Sequence, residues 1–127
     1  MNYTSANQYL MGKPEAQESY PFGDDTPVFK VKHKMFALLG AKDGIDQLNL
    51  KCDPDEALAL RDIFESVIPG YHMNKKHWNT IILDGSVPAG EIERMIDNSY
   101  SLIVKGLRNI ERQALELKYG KDQLYKI

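Results

Sequence analysis

The chain has 127 residues, 43% hydrophobic and 27% charged, which is the size and balance of one globular domain whose core needs no disulfide or metal. A net charge of −2 excludes a uniformly basic nucleic-acid binder, so any contact with phosphate has to come from a local patch. Cys52 is the single cysteine, which excludes an intrachain disulfide and suits a reducing, cytoplasmic setting.

The opening MNYTSANQYLMGK has no basic start followed by an apolar block, so no signal peptide is expected. No apolar run approaches the roughly 18 residues of a membrane span. Residues 4–12 read as a short helix, capped by Thr4 or Ser5 and stopped by Gly12. ESYPF (18–22) fits a short edge strand, because Pro21 cannot donate to a central ladder. GDDTP (23–27) is turn chemistry. Val28–Val31 and Met35–Leu39 are strand-like, with Lys32-His33-Lys34 as the hairpin tip between them, and AKDG (41–44) marks a second turn. Leu48 and Leu50 alternate with Gln47, Asn49 and Lys51, as in a strand with one wet face. Residues 18–51 therefore predict an antiparallel meander.

DPDEALALRDIFESV is the clearest helix. Asp53 can cap it, Pro54 suits the first helical position, Glu56 completes a box-like start, and Ala57, Leu60, Phe64 and Val67 share a face. IPGYH ends that helix. Trp78–Leu83 is a strand, Asp84-Gly85 a turn, and Pro88 opens a long helix with a stripe of Ile92, Ile96, Tyr100, Ile103 and Leu107. Beyond Gly106 the chain predicts a further amphipathic helix on a thin stripe of Ile110, Ala114 and Leu117, fraying after Gly120. The fold class expected is α+β: a two-layer sandwich, an antiparallel sheet with helices packed on one face. Residues 1–107 make the domain and 108–127 a C-terminal amphipathic helical extension of it.

Several long motifs carry a resemblance. YHMNKKHWNTIILDGSVP (71–88) followed by EIERMIDNSYSLIV, FKVKHKMFALL followed by LNLKCDP, and the opening MGKPEAQESYPFG together closely resemble the MmcQ/YjbR family of small bacterial proteins. The core of the match is H-x-N-K-x-H-W (His72, Asn74, Lys75, His77, Trp78), then L-D-G-S-x-P; the likeness spans about residues 4–107. The resemblance implies a frataxin-like (CyaY-like) sandwich, also described as a double-wing relative of DNA-binding domains. It implies DNA binding by fold analogy, and no enzyme activity that transfers residue by residue. Frataxin-like iron binding uses an acidic first helix; residues 1–12 hold no Asp or Glu, so that property does not carry over.

Each chemical reading has a structural competitor. His72 and His77 lie five apart, with His33 and Cys52 elsewhere; this is not zinc spacing, and surface or backbone-bonded histidines explain it, so no metal and no cofactor are expected. Cys52 precedes a helix N-terminus, which favours a thiolate, but Asp53 beside it opposes one; a half-buried inert thiol is the alternative. No nucleophile–base pair, zinc-protease motif or glycine-rich phosphate loop is present, so a non-enzymatic protein is expected. Lys30, Lys32, His33 and Lys34, then Lys75, Lys76 and His77, form two basic clusters suited to phosphate or another anion, the first as the tip of a stiff wing. A few such lysines make a weak, salt-sensitive, non-specific contact with double-stranded DNA. Lysines on an exposed strand edge also guard against edge-to-edge pairing. The second functional reading is a small-molecule or protein-interaction groove beside Trp78, formed with Tyr71, His72 and Asn74; Asn74 equally serves as a turn former and Trp78 as a packed ring. A monomer or weak homodimer without membrane contact is expected.

Overall fold

The computed structural model of the chain describes residues 1–70 and 73–126. Tyr71 and His72, two of the groove candidates, lie outside the described residues. The elements in order are α1 (Tyr3–Met11), β1 (Gln17–Ser19), β2 (Val28–Val31), β3 (Lys34–Lys42), β4 (Ile45–Lys51), α2 (Pro54–Ile63), β5 (Val67–Pro69), β6 (Trp78–Ile82), α3 (Ala89–Lys105), α4 (Asn109–Tyr119) and α5 (Lys121–Tyr125). The strands form a six-stranded antiparallel sheet in the order β1-β2-β3-β4-β6-β5. The first four are the meander predicted from turn chemistry. The expected α+β arrangement, an antiparallel sheet with helices packed on it, is what the chain forms. Among the described residues no helix is long and apolar enough to cross a membrane.

The helices share one hydrophobic cluster with the sheet. Ala6 and Leu10 of α1, Ala57 and Leu60 of α2, and Ile92, Ile96, Tyr100 and Val104 of α3 meet Phe29, Val31, Leu39, Leu48, Leu50 and Ile81. A β-bulge shapes this contact. Phe29 pairs with Ala37 and Lys30 with Met35, so Phe36 is an extra residue, and both Phe36 and Ala37 turn into the core. Ser99 Oγ donates to the Phe36 carbonyl at 2.7 Å, and the Tyr100 ring meets Phe36 edge-on with centroids 5.5 Å apart. The bulge is thereby tied to α3.

The opposite face is not wet, contrary to the alternation of Leu48 and Leu50 with polar residues. Val28, Leu38, Asn49 and Thr80 are successive cross-strand partners, all buried, and none belongs to the helix-facing cluster. Trp78, two residues from Thr80 on the same strand, is buried there too. Asn49 escapes the cost of burying an amide oxygen because the Thr80 hydroxyl donates to its Oδ1 at 2.5 Å.

Other expectations are corrected at element ends. Asn2, rather than Thr4 or Ser5, caps α1: its Oδ1 accepts from the Ser5 N–H, and the Ser5 hydroxyl accepts from the Asn2 N–H. The edge strand is Gln17–Ser19, so Tyr20, Pro21 and Phe22 fall outside it. Asp53 caps α2 through the N–H groups of Asp55 and Glu56, while the Glu56 carboxylate, instead of closing a box, accepts from Asn98 of α3 at 2.9 Å. That helix ends at Ile63; Phe64 is extended and Val67 starts β5, a strand absent from the sequence reading. The C-terminal stripe is inverted. Ile110, Ala114 and Leu117 face solvent, Leu117 at 91% exposure, and Leu115 points inward. Nor does the chain fray after Gly120: α5 follows, with Leu124 fully buried.

Candidate functional site

The β2–β3 hairpin extends past the pairing of β3 with β4. The last β3–β4 pair is Ala37 with Leu50, whereas β2 and β3 stay paired through Lys30–Met35 to Val31–Lys34. Its two-residue tip is Lys32-His33, both left-handed (φ 49° and 71°), and Lys34 is the first residue of β3. Such a turn matches the twist of the strands but normally takes Asn-Gly, because a Cβ is strained there by about 1–2 kcal/mol per residue. Lys-His at this place sacrifices stability. Lys32 is already engaged: its Nζ meets Glu15 at 2.8 Å, raising the lysine and lowering the carboxyl from their ordinary pKa values. Lys30 lies opposite Gln17 and Met35 on the ladder.

The second cluster sits on the turn before β6. Asn74 Oδ1 accepts from the Lys76 N–H at 2.9 Å, and its carbonyl accepts from the His77 N–H at 3.1 Å. This is the local backbone bonding expected of Asn74. Arg61 of α2 donates to the Lys75 carbonyl and, at 2.7 Å, to Asn79 Oδ1, and the Cys52 N–H donates to the His77 carbonyl at 2.8 Å. Backbone groups are held by the core, which leaves the Lys75 and Lys76 side chains exposed. Gly70, before the turn, answers to contact: a Cβ there would lie 2.6 Å from the Cβ of Trp78 and 2.9 Å from its carbonyl oxygen.

Register brings the two clusters together. Trp78, the first residue of β6, pairs with Lys51, the last of β4, and Leu50 pairs with Ala37. The hairpin tip and the 73–77 turn therefore emerge at the same end of the sheet, separated by β4, or about 10 Å from β3 to β6. Lys51, which the sequence reading left out, stands between them with its Nζ 5.7 Å from the Trp78 ring centroid. A cation between two basic turns is visible only once strand order is known. The opposing charges nearest in the chain, Asp53, Asp55 and Glu56, open α2 on the helix side.

The thiol is unsuited to chemistry. Cys52 is buried against a cavity of about 60 Å³ shared with Asp53, Glu56 and Asn98. Burial first, then the charges of Glu56 and Asp53, push it up to about 12, so it is a neutral thiol at physiological pH. Among the described residues, no group of three or more His, Cys, Asp or Glu is placed to hold a metal ion.

Of the groove candidates, Asn74 and Trp78 fall within the described residues. Trp78 is 6% exposed, and Asn74 is committed to its turn. On the same sheet face lies a cleft of about 370 Å³ lined by Phe22, Thr26, Leu38, Asn49 and Met73. Of these, none was singled out from the sequence; an asparagine between Leu48 and Leu50 in a central strand was the available signal.

The basic turns and the bulged strand run through the segment that comparison with known proteins picks out. The family model described as YjbR matches residues 11–102. The chain belongs to the YjbR family. YjbR of Escherichia coli K12, an uncharacterised protein by name, is 34% identical over 115 residues, covering 91% of this chain and 98% of that one. Uncharacterised protein YbdF of E. coli O157:H7 is 34% identical over 105 residues, 83% of this chain and 86% of its own. Among solved structures, Deinococcus radiodurans protein DR2400 superposes with a TM-score of 0.81 at 38% identity, covering 90% of this chain and 87% of that one. A Pseudomonas syringae protein superposes at 0.70 with 31% identity, covering 80% and 98%. Both basic clusters and the cleft lie within the YjbR match; α4 and α5 lie beyond it.

Proposed function

We propose that this YjbR-family chain is a non-enzymatic, cytoplasmic binding module that contacts the phosphate backbone of double-stranded DNA weakly and without sequence preference. The contact runs through Lys30, Lys32, His33 and Lys34 on the wing and Lys75, Lys76 and His77 on the turn, with Lys51 between them. The observation that carries this reading is the emergence of both basic turns at one end of the sheet, from one projecting hairpin and one core-anchored loop. Cations carried on two turns whose strands lie about 10 Å apart can meet phosphates of one duplex. Lys32 takes part after exchanging Glu15 for phosphate. Contacts are assigned to backbone because the cations named are lysines and histidines on turns, which meet phosphate as point charges.

The experiment is fluorescence anisotropy of a labelled random-sequence duplex at a series of salt concentrations. Engagement of four or five phosphates gives a log–log salt slope of about −4. Absence of binding at low salt, or affinity indifferent to salt, overturns the proposal.

A further inference from the structure

We infer that the exposed face of α4 pairs with the same face of a second copy of this chain, as a weak antiparallel contact between two helices. The inference is independent of the proposed phosphate contact.

Three residues make the face. Ile110 is 73% exposed, Leu117 is 91% exposed, and Ala114 between them is exposed as well. Ile110 and Leu117 are seven residues apart, so they stand within about 20° of each other round the helix, and Ala114 lies about 40° from Ile110. The three form one stripe, turned away from the buried Leu115. Their i, i+4, i+7 spacing is that of a helix that buries one side, yet here that side meets water. Two large aliphatic side chains aligned on one helix differ from apolar residues scattered singly over a surface.

The charges beside the stripe select a copy of the same chain. A two-fold axis that sets two helices antiparallel brings each flank of the stripe against the same flank of the other copy. Glu111 and Lys118 share one flank, seven residues apart and opposite in charge. With the axis beside Ala114, Glu111 of one copy meets Lys118 of the second, and the contact is made twice. Flanking pairs of this kind set the orientation of paired helices. Ile110 and Leu117 exchange places in the same operation, and the small Ala114 at the centre lets the two backbones approach. Both charges have partners that can be exchanged: Glu111 lies 3.3 Å from Arg108, and Lys118, with its side chain 66% exposed, lies 3.8 Å from Glu15.

The area sets the strength. An α4 of 11 residues is about 16 Å long. A single face of that length falls well short of the roughly 800 Å² that each partner buries in a standard complex. The pair is therefore transient, half-formed only at about 0.1–1 mM chain.

The test follows the full chain, labelled with ¹⁵N, by sedimentation equilibrium and amide spectra from about 20 µM to about 1 mM. The average mass is expected to climb towards that of two chains, with concentration-dependent amide shifts centred on residues 110–118. Leu117→Glu should hold the chain monomeric across the range and leave its melting temperature unchanged, because the side chain it replaces lies in solvent. Glu111→Lys and Lys118→Glu each set like charges together and should weaken association at least about threefold. The two changes combined in one chain restore opposite charges at both contacts and should recover the wild-type association. A chain that stays monomeric at the highest concentration overturns the inference. So does association that survives Leu117→Glu, or shifts centred away from α4. A combined variant no better than the single ones overturns the antiparallel register, and the choice of a second copy with it.

Discussion

Lys13 and Asp97 form an ion pair sunk between α1 and α3, with side chains only 5% and 17% exposed. The Tyr9 hydroxyl donates to the same Asp97 oxygen at 2.8 Å, and the Lys13 Nζ lies 5.1 Å from the Tyr9 ring centroid and 5.7 Å from that of Tyr100. Burial lowers the Lys13 pKa and Asp97 resists that fall. Asp97→Ala leaves an ammonium buried without its counter-ion and should cost about 3–5 kcal/mol in urea unfolding. The double change Lys13→Met with Asp97→Leu should fall within about 1 kcal/mol of wild type or above it. A double variant as damaged as Asp97→Ala would show that the charge pair itself, rather than its incompleteness, stabilises the junction.

The C-terminal helices give a second stability test. Leu124→Ala empties a fully buried site and should cost about 2–5 kcal/mol, whereas Leu117→Ala should stay within about 0.5 kcal/mol. Equal losses in thermal or urea unfolding would mean that α4 presents its other face to the core.

That contrast shows where the sequence was legible. The meander, the Asp53 cap and the α3 stripe follow from turn residues and periodicity acting locally. The α4 register does not, since Ile110, Ala114 and Leu117 repeat as regularly as a buried stripe would, and only the seating of Leu115 and Leu124 decides between faces. Phe64 and Val67 continued the helical period of α2 while the backbone had already turned into β5. For the site, the lysines of both turns could be read from the sequence, but their nearness depends on β6 pairing with β4. The Asn49 cleft was hidden because a polar residue alternating with leucines ordinarily means solvent.

Replacing His33 by glycine should stabilise the protein by about 1 kcal/mol, because φ of 71° is free of strain for glycine. The same variant should lose part of any duplex affinity, tested by anisotropy beside the melting curve. Stability gained with affinity unchanged would remove His33 from the contact.

Lys75→Ala together with Lys76→Ala touches exposed side chains and should leave the melting temperature unchanged, since the turn is held through the Lys75 carbonyl. The salt slope of duplex binding should shrink by about 1.8, two phosphates' worth. An unchanged slope excludes this turn from the contact.

Stability should fall in alkali. Burial raises the Cys52 thiol from 9.0 to about 12, and burial with the Glu116 hydrogen bond raises Tyr125 from 10.0 to about 12. The folded chain keeps these protons while the unfolded chain releases them. Their contribution is therefore complete below about pH 9 and lost as pH climbs towards 12. Urea midpoints across that range should decline, and less steeply in Cys52→Ala; an identical decline would assign the loss to the tyrosines.

The crowding at Gly70 bears on how an alignment of relatives should be read. A methyl group at position 70 would strike the Cβ of Trp78, an atom common to every residue except glycine, and then the carbonyl behind it. Shrinking the tryptophan to phenylalanine, leucine or alanine leaves both obstacles in place, so no ordinary second-site change rescues a larger residue there. Uniform glycine at this position among homologues would reflect a closed evolutionary route, and would carry no information about what the protein binds.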